Sequence, residues 1–131
     1  MSDIIKYSVG SDFRHTMNYL KAIKERIFLK RLLSEYAPKI VDALKAGTPV
    51  RTGETANSWY YEISENFSSI TVEFRNSRMA DDGRTPVALL IQLGHGTGTG
   101  GYVPPNDYIN PIVKSLFDSL ESDIEKAVKS L

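Results

Sequence analysis

The stretch LGHGTGTGGYVPP, residues 93–105, holds five of the chain's nine glycines. Gly96, Gly98 and Gly101 are spaced as G-x-G-x-x-G. In a dinucleotide-binding turn those glycines follow a strand and open directly into a helix, whose N-terminal amides hold the pyrophosphate. An acidic residue then ends a second strand about twenty residues on. Here the glycines run into Tyr102-Val103-Pro104-Pro105, an extended segment, and the pattern after it is helical. A P-loop fails too, because no Lys-Ser or Lys-Thr follows the glycines. The tract reads instead as a conformationally free loop that allows close backbone approach. No cofactor is expected.

Other chemistry is equally thin. The two histidines are His15 and His95. A zinc site wants three or four ligands with recognisable spacing, and His95 could meet Asp81 or Asp82 only through folding, so no metal is expected. No serine sits in a nucleophile-elbow pattern, and the chain has no cysteine to act as nucleophile. Glu54, Glu62, Glu65 and Glu73 fall in turns or on the exposed face of a hairpin. No catalytic residue is identified, and the chain does not read as an enzyme. Lys21, Lys24, Arg26, Lys30 and Arg31 form a basic patch on a helix. Such runs are commonly a solvated face whose stems cover apolar surface; non-specific DNA contact through Lys21, Lys24 and Lys30 is the sharper alternative.

The composition narrows the class further. A chain of 131 residues suggests a single domain over 1–131. Sixteen basic and sixteen acidic side chains cancel, which argues against a protein whose main task is gripping nucleic acid or an anionic membrane. The opening MSDIIKYSVG does not read as a signal peptide. The longest purely apolar run, Val87–Ile91, is far short of a membrane span. These features lead one to expect a protein made and used in the cytoplasm, with no membrane partner.

The elements that must position these residues follow from periodicity. Residues 1–10 are weakly structured or form a short strand. From Phe13 to Gly47 the pattern is helical, with Met17, Leu20, Ile23, Ile27, Phe28, Leu32, Leu33, Tyr36, Ile40, Val41 and Leu44 as a core-facing stripe. Pro38 lacks an N–H and crowds the preceding turn, which predicts one helix ending near 35–37 and another over 38–45, with Gly47 as its stop. Then the period changes to two. Trp59, Tyr61 and Ile63, then Ile70, Val72 and Phe74, mark the apolar face of a hairpin over about 56–76, turning at 66–69. Residues 77–84 read as a polar, mobile loop. Residues 85–94 fit a buried strand or a short helix, and the helix is favoured, with Thr85 as N-cap, Pro86 in its first position and Gly94 past its end. The last helix starts near Asp107 and buries Ile109, Ile112, Val113, Leu116, Leu120, Ile124 and Val128. The order is α+β: a small antiparallel sheet packed against a long N-terminal helical segment and a C-terminal helix. A two-stranded hairpin is marginal alone. It calls for one more strand from the N-terminus or a neighbouring subunit, or for a helix on its face.

Two pieces, ALKAGTPVRTGETANSWYYEI (43–63) and LLIQLGHGTGTGGYVPPNDYINPIVKSLFD (89–118), stand in an order and spacing that resemble the gp10-like proteins of tailed bacteriophages. The shared pattern is T/A-P-V-x-T-G before a strand, then Q/E-aromatic-or-Leu-G-x-G-T, a proline, Tyr-Ile and N/R-P opening an amphipathic helix. The likeness covers roughly residues 20–131. Matching positions are Thr48, Pro49, Val50, Thr52, Gly53 and Ser58, then Gly94, Gly96, Thr97, Pro105, Tyr108, Asn110 and Pro111. The chain departs at Leu93, often aromatic in the family, and in its longer glycine loop.

The resemblance implies a structural virion protein, made in the bacterial host cytoplasm, of the neck, tail-completion or minor tail class. It implies a homo-oligomeric ring, a hexamer or higher, meeting head-completion or connector proteins and tail proteins. Alternatives are a tail terminator, a small nucleic-acid-binding module or a small enzyme using the glycine loop. Ring contacts between identical copies must be head-to-tail and closing. The 77–86 and 94–106 loops, with Asp81, Asp82, His95, Gly98 and Gly101, are the candidate assembly elements.

Overall fold

The computed structural model describes residues 4–10, 19–49, 53–66, 69–96 and 100–129. Strand β1 (Ile5–Gly10) is followed by helix α1 (Tyr19–Gly47), a single turn α2 (Glu54–Asn57), strands β2 (Trp59–Glu65) and β3 (Ser69–Asn76), and helix α3 (Val87–Leu93). The two-residue strands β4 (His95–Gly96) and β5 (Tyr102–Val103) precede helix α4 (Ile109–Lys129). The main sheet is antiparallel in the order β1-β3-β2. The fold is α+β. The extra strand the hairpin requires comes from this chain: Ile5, Tyr7 and Val9 pair opposite Phe74, Val72 and Ile70.

The core lies between the sheet and α1 with α4. Ile70, Val72 and Phe74 of the central strand are buried against Leu29, Leu33, Ala37, Ile40 and Leu44 of α1 and Val113 and Leu120 of α4. The outer sheet face is a charge ladder, Lys6–Glu73–Arg75–Glu62. Asn66 closes the hairpin turn, its N–H donating to Ser69 O at 2.9 Å and its Oδ1 accepting from Ser69 N at 2.8 Å.

Three expectations are corrected. First, α1 is not divided at Pro38, which lies inside one continuous helix. Pro38 is on the solvent side, so the Ser34 carbonyl it leaves without an intrahelical donor faces water. The turns beyond it bury Ile40, Val41 and Leu44, at about 1.5–3 kcal/mol per side chain, which outweighs a proline penalty of about 3 kcal/mol. Second, the core stripe does not run the length of α1. Ile23 and Ile27 are 40% and 62% exposed, Phe28 is also exposed, and the buried face starts at Leu29. The reason is length. Gly47 abuts Ile112 and Tyr36 bonds Asp123, each eleven residues further along its helix in opposite directions. That register carries Lys129, the last described residue of α4, only to Lys30, so the first turns of α1 lie beyond α4. Gly47 does stop α1, as expected. It is the last helical residue, and an added Cβ would lie 2.8 Å from Ile112 Cγ1, with Cδ1 nearer still. Third, residues 77–86 form a pinned turn. Ala80 N donates to Thr85 O at 2.8 Å, Val87 N to Arg78 O at 2.9 Å, and Met79 bridges Pro86.

The short helix α3 bears out the helical reading of 85–94, with its cap shifted by one residue. Pro86 itself is the N-cap, in an extended conformation, and Gly94 ends the helix at φ 79°. The last helix begins at Ile109, two residues later than predicted, and Pro111 falls in its first turn.

Candidate functional site

The two motif pieces, with 25 residues between them, meet at one polar knot. Thr48 closes α1. Its hydroxyl donates to Leu44 O at 2.6 Å and accepts the indole N–H of Trp59 at 2.8 Å. The phenol of Tyr108 stands beside it and donates to Ala88 O at 2.8 Å. Burial pushes that phenol up to about 12, with the Thr48 hydroxyl pulling the other way. Thr48, Trp59 and Tyr108 are all buried. Gln92, the penultimate residue of α3, completes the arrangement. Its Oε1 accepts from the backbone N–H of Tyr108 at 3.1 Å and of Ile109 at 3.0 Å, and its Nε2 donates to Asp107 Oδ1 at 2.6 Å. It thereby satisfies orphan amides where α4 begins. The knot ties the end of α1, the start of β2, α3 and the start of α4 together, and its polar atoms are spent on one another.

The remaining motif positions divide between structure and surface. Gly53 takes φ 84° as the residue before α2. Ser58 ends that turn, its hydroxyl donating to Glu54 O at 2.6 Å. Pro49 is exposed after α1. Val50, Thr52 and Thr97 lie outside the described residues, as does Gly98. Pro105, Asn110 and Pro111 are exposed at the start of α4.

The glycine tract takes a different form from a free loop. His95 pairs with Val103 and Gly96 with Tyr102, so the tract closes a small antiparallel tongue. Gly94 is its hinge. At φ 79°, a Cβ here would lie 2.8 Å from Pro105 N and Val103 O, and 2.9 Å from Tyr102 Oη. A side chain is excluded by both backbone conformation and space. Gly101 precedes β5 and is exposed. The dinucleotide spacing therefore has the wrong setting: the glycines return into a strand rather than opening a helix. The tongue holds its apolar side chains outward, with Tyr102 65% and Val103 39% exposed, beside Leu93 at the end of α3.

The titratable candidates do not converge. Asp82 caps its own turn, accepting from Arg84 N and Thr85 N at 2.9 Å and from the Thr85 hydroxyl at 2.7 Å. The Thr85 hydroxyl foremost, then the two amides, hold its carboxyl below the usual aspartate value. Asp81 is exposed in the same turn. That turn precedes α3, whereas His95 follows it, and seven helical residues span about 10 Å. Among the described residues no three His, Asp or Glu side chains stand together as a metal site, and no helix is long and apolar enough to cross a membrane. The basic patch is partly neutralised. Lys30 Nζ and Arg26 Nε reach Glu65 at 3.0 and 3.1 Å, and Arg26 also donates to Asn66 O. Lys30 before Arg26 holds the Glu65 carboxyl below its ordinary value. Lys24 is exposed, and Lys21 lies on α1 with a side chain outside the described set.

What sequence reasoning missed is Gln92 as a helix cap and Trp59 as the partner of Thr48. Both lay within the two motif pieces, where local spacing gives no sign of a distant hydrogen-bond partner. Compared with family models, curated proteins and solved structures, the chain matches none of them.

Proposed function

We propose that this chain is a structural component of a tailed-phage or prophage virion, a neck or tail-completion protein that works by joining copies of itself into a ring. The reading assigns it no catalytic role and no cofactor. Its partners are further copies of itself, together with head-completion or connector proteins and tail proteins. Support comes from the order and spacing of the Thr48–Gly53 and Gly94–Pro111 motif pieces. The observation that carries the reading is the tongue. The polar side chains of Gln92 and Tyr108 bond together the elements on either side of the tongue, and the tongue presents Tyr102 and Val103 to solvent. Exposed apolar patches with a rigid root mark surfaces that meet another protein.

Two measurements test this. Light scattering after size exclusion, over a wide concentration range, should find a discrete oligomer or a monomer that moves toward one. In a host whose phage or prophage encodes the chain, purified particles should contain it at ring stoichiometry, and particles made without it should have unjoined heads and tails. Normal, complete particles formed in its absence overturn the reading. A steep salt-dependent DNA affinity, or a ligand-dependent rise in melting temperature, would move weight to a DNA-binding module or an enzyme.

A further inference from the structure

Resting on that ring reading, we propose that copies join head to tail, the first turns of α1 in one copy lying in the groove beside the β4–β5 tongue of the next.

A closed ring of identical subunits needs two different patches on each copy, placed apart, because a patch that pairs with itself stops at a dimer. This chain has two such patches. One is the tongue with the surface groove at its root, a hollow of about 620 Å³ walled by Ile4, Leu89, Leu93, Ile109, Val113 and Phe117. It sits where α4 begins and α1 ends. The other is the outward row of Ile23 and Ile27 on the part of α1 that runs beyond α4. Twenty helical residues separate Ile27 from Gly47, about 30 Å, so the patches occupy opposite poles.

Their chemistry matches. Ile23 and Ile27 are one helical turn apart on one face, the spacing by which an amphipathic helix sets two anchors into an apolar groove. The groove is apolar along its floor and open to solvent, and Leu93 continues it onto the tongue. Both rims are charged. Lys24 flanks the isoleucines on the outer side of α1, and Arg31 beside it is paired with Glu35 of the same helix. Asp107 at the foot of the tongue and Asp118 at the groove's edge offer carboxylates, with Lys114 beside them, while Lys6 is turned to Glu73 across the sheet. Apolar anchors inside a charged rim are the usual anatomy of a specific contact, which buries about 800 Å² on each partner.

The first turns of α1 are also presented firmly. Arg26 and Lys30 bind the hairpin tip at Glu65, and Ile23 and Ile27, on the neighbouring flank of the helix, stay 40% and 62% exposed.

The chain has no cysteine, so single thiols can be introduced cleanly. In Ile27→Cys and Leu93→Cys each replaced side chain is mostly exposed, and unchanged melting temperatures check that the fold survives. Under mild oxidation at high protein concentration, each single variant alone should stay uncrosslinked. An equimolar mixture should give a covalent dimer and nothing larger, and the double variant should give a ladder that ends at the ring. Ile27→Glu should abolish the oligomer seen by light scattering. Crosslinking of either single variant to itself would mean a self-paired contact and overturn the proposal. So would the absence of crosslinks in the mixture. If the mixture fails while the unmodified chain still forms oligomers, the contact is elsewhere and the ring reading stands. If the unmodified chain stays monomeric as well and particles assemble without it, both fall.

Discussion

The hydroxyl of Thr48 serves two groups at once, the Leu44 carbonyl as donor and the Trp59 indole as acceptor. Thr48→Val keeps the shape but strands a buried N–H, at a cost of about 1–3 kcal/mol. The chain has one tryptophan, so the loss should appear as a lower urea midpoint followed by Trp59 fluorescence, and Thr48→Ser should restore it. Tyr108 makes a prediction with a definite sign. Its folded pKa is raised from 10.0 to about 12, so the stability it lends is complete below pH 10 and is lost as pH climbs toward 12. Tyr108→Phe should flatten that alkaline limb. It will not erase it, because the Tyr36 phenol, hydrogen-bonded to Asp123, and the half-buried Tyr7 are raised too. Thr48, Gly94 and Tyr108 were legible in the sequence as motif positions. Gln92 was not legible as a cap. Capping signals are read within a few residues of a helix start, and this side chain reaches amides 16 and 17 positions away.

At the scale of elements, local rules succeeded where neighbours along the chain decide the outcome. The turn between β2 and β3 and the glycine that ends α3 came through in that way. They failed where a distant surface decides. Pro38 is a helix breaker by local rules, yet the sheet buries the turns after it and the helix continues. Pro38→Ala restores an N–H to Ser34 O and relieves crowding. It should raise the urea midpoint, by up to about 3 kcal/mol in stability, with α1 unchanged in circular dichroism. The exposed end of α1 was illegible for a related reason. Ile23 and Ile27 continue the helical period faithfully, and their exposure among the described residues follows from the reach of α4, whose last described residue comes only to Lys30. The pairing of β1 likewise depended on β3, although Ile5, Tyr7 and Val9 alternate as a strand should.

For the molecule as a whole, residues 23–28 of α1 are held more by charge than by burial, and this separates local order from global stability. The side chains of Arg26, Lys30 and Glu65 are all partly or largely solvated, and exposed ion pairs add little to the free energy of unfolding. Glu65→Gln should therefore scarcely move the melting temperature. It should nonetheless speed amide hydrogen exchange in residues 23–28 and leave residues 33–44, buried under the sheet, unchanged. Exchange reports local opening, which can be far cheaper than global unfolding. The same contact sets an acid dependence. The Glu65 carboxyl is held below its ordinary 4.5, by Lys30 first and then Arg26. The tether is thus intact above that value and is lost as pH falls through the lower folded pKa. Protection of residues 23–28 should fade over that acid range and, at neutral pH, with added salt, which screens exposed charges. If the isoleucines on this segment are the anchors of a ring, Glu65→Gln should weaken self-association more than it weakens the fold. An equal loss of both would mean that the hairpin tip supports the core and not the presentation of α1.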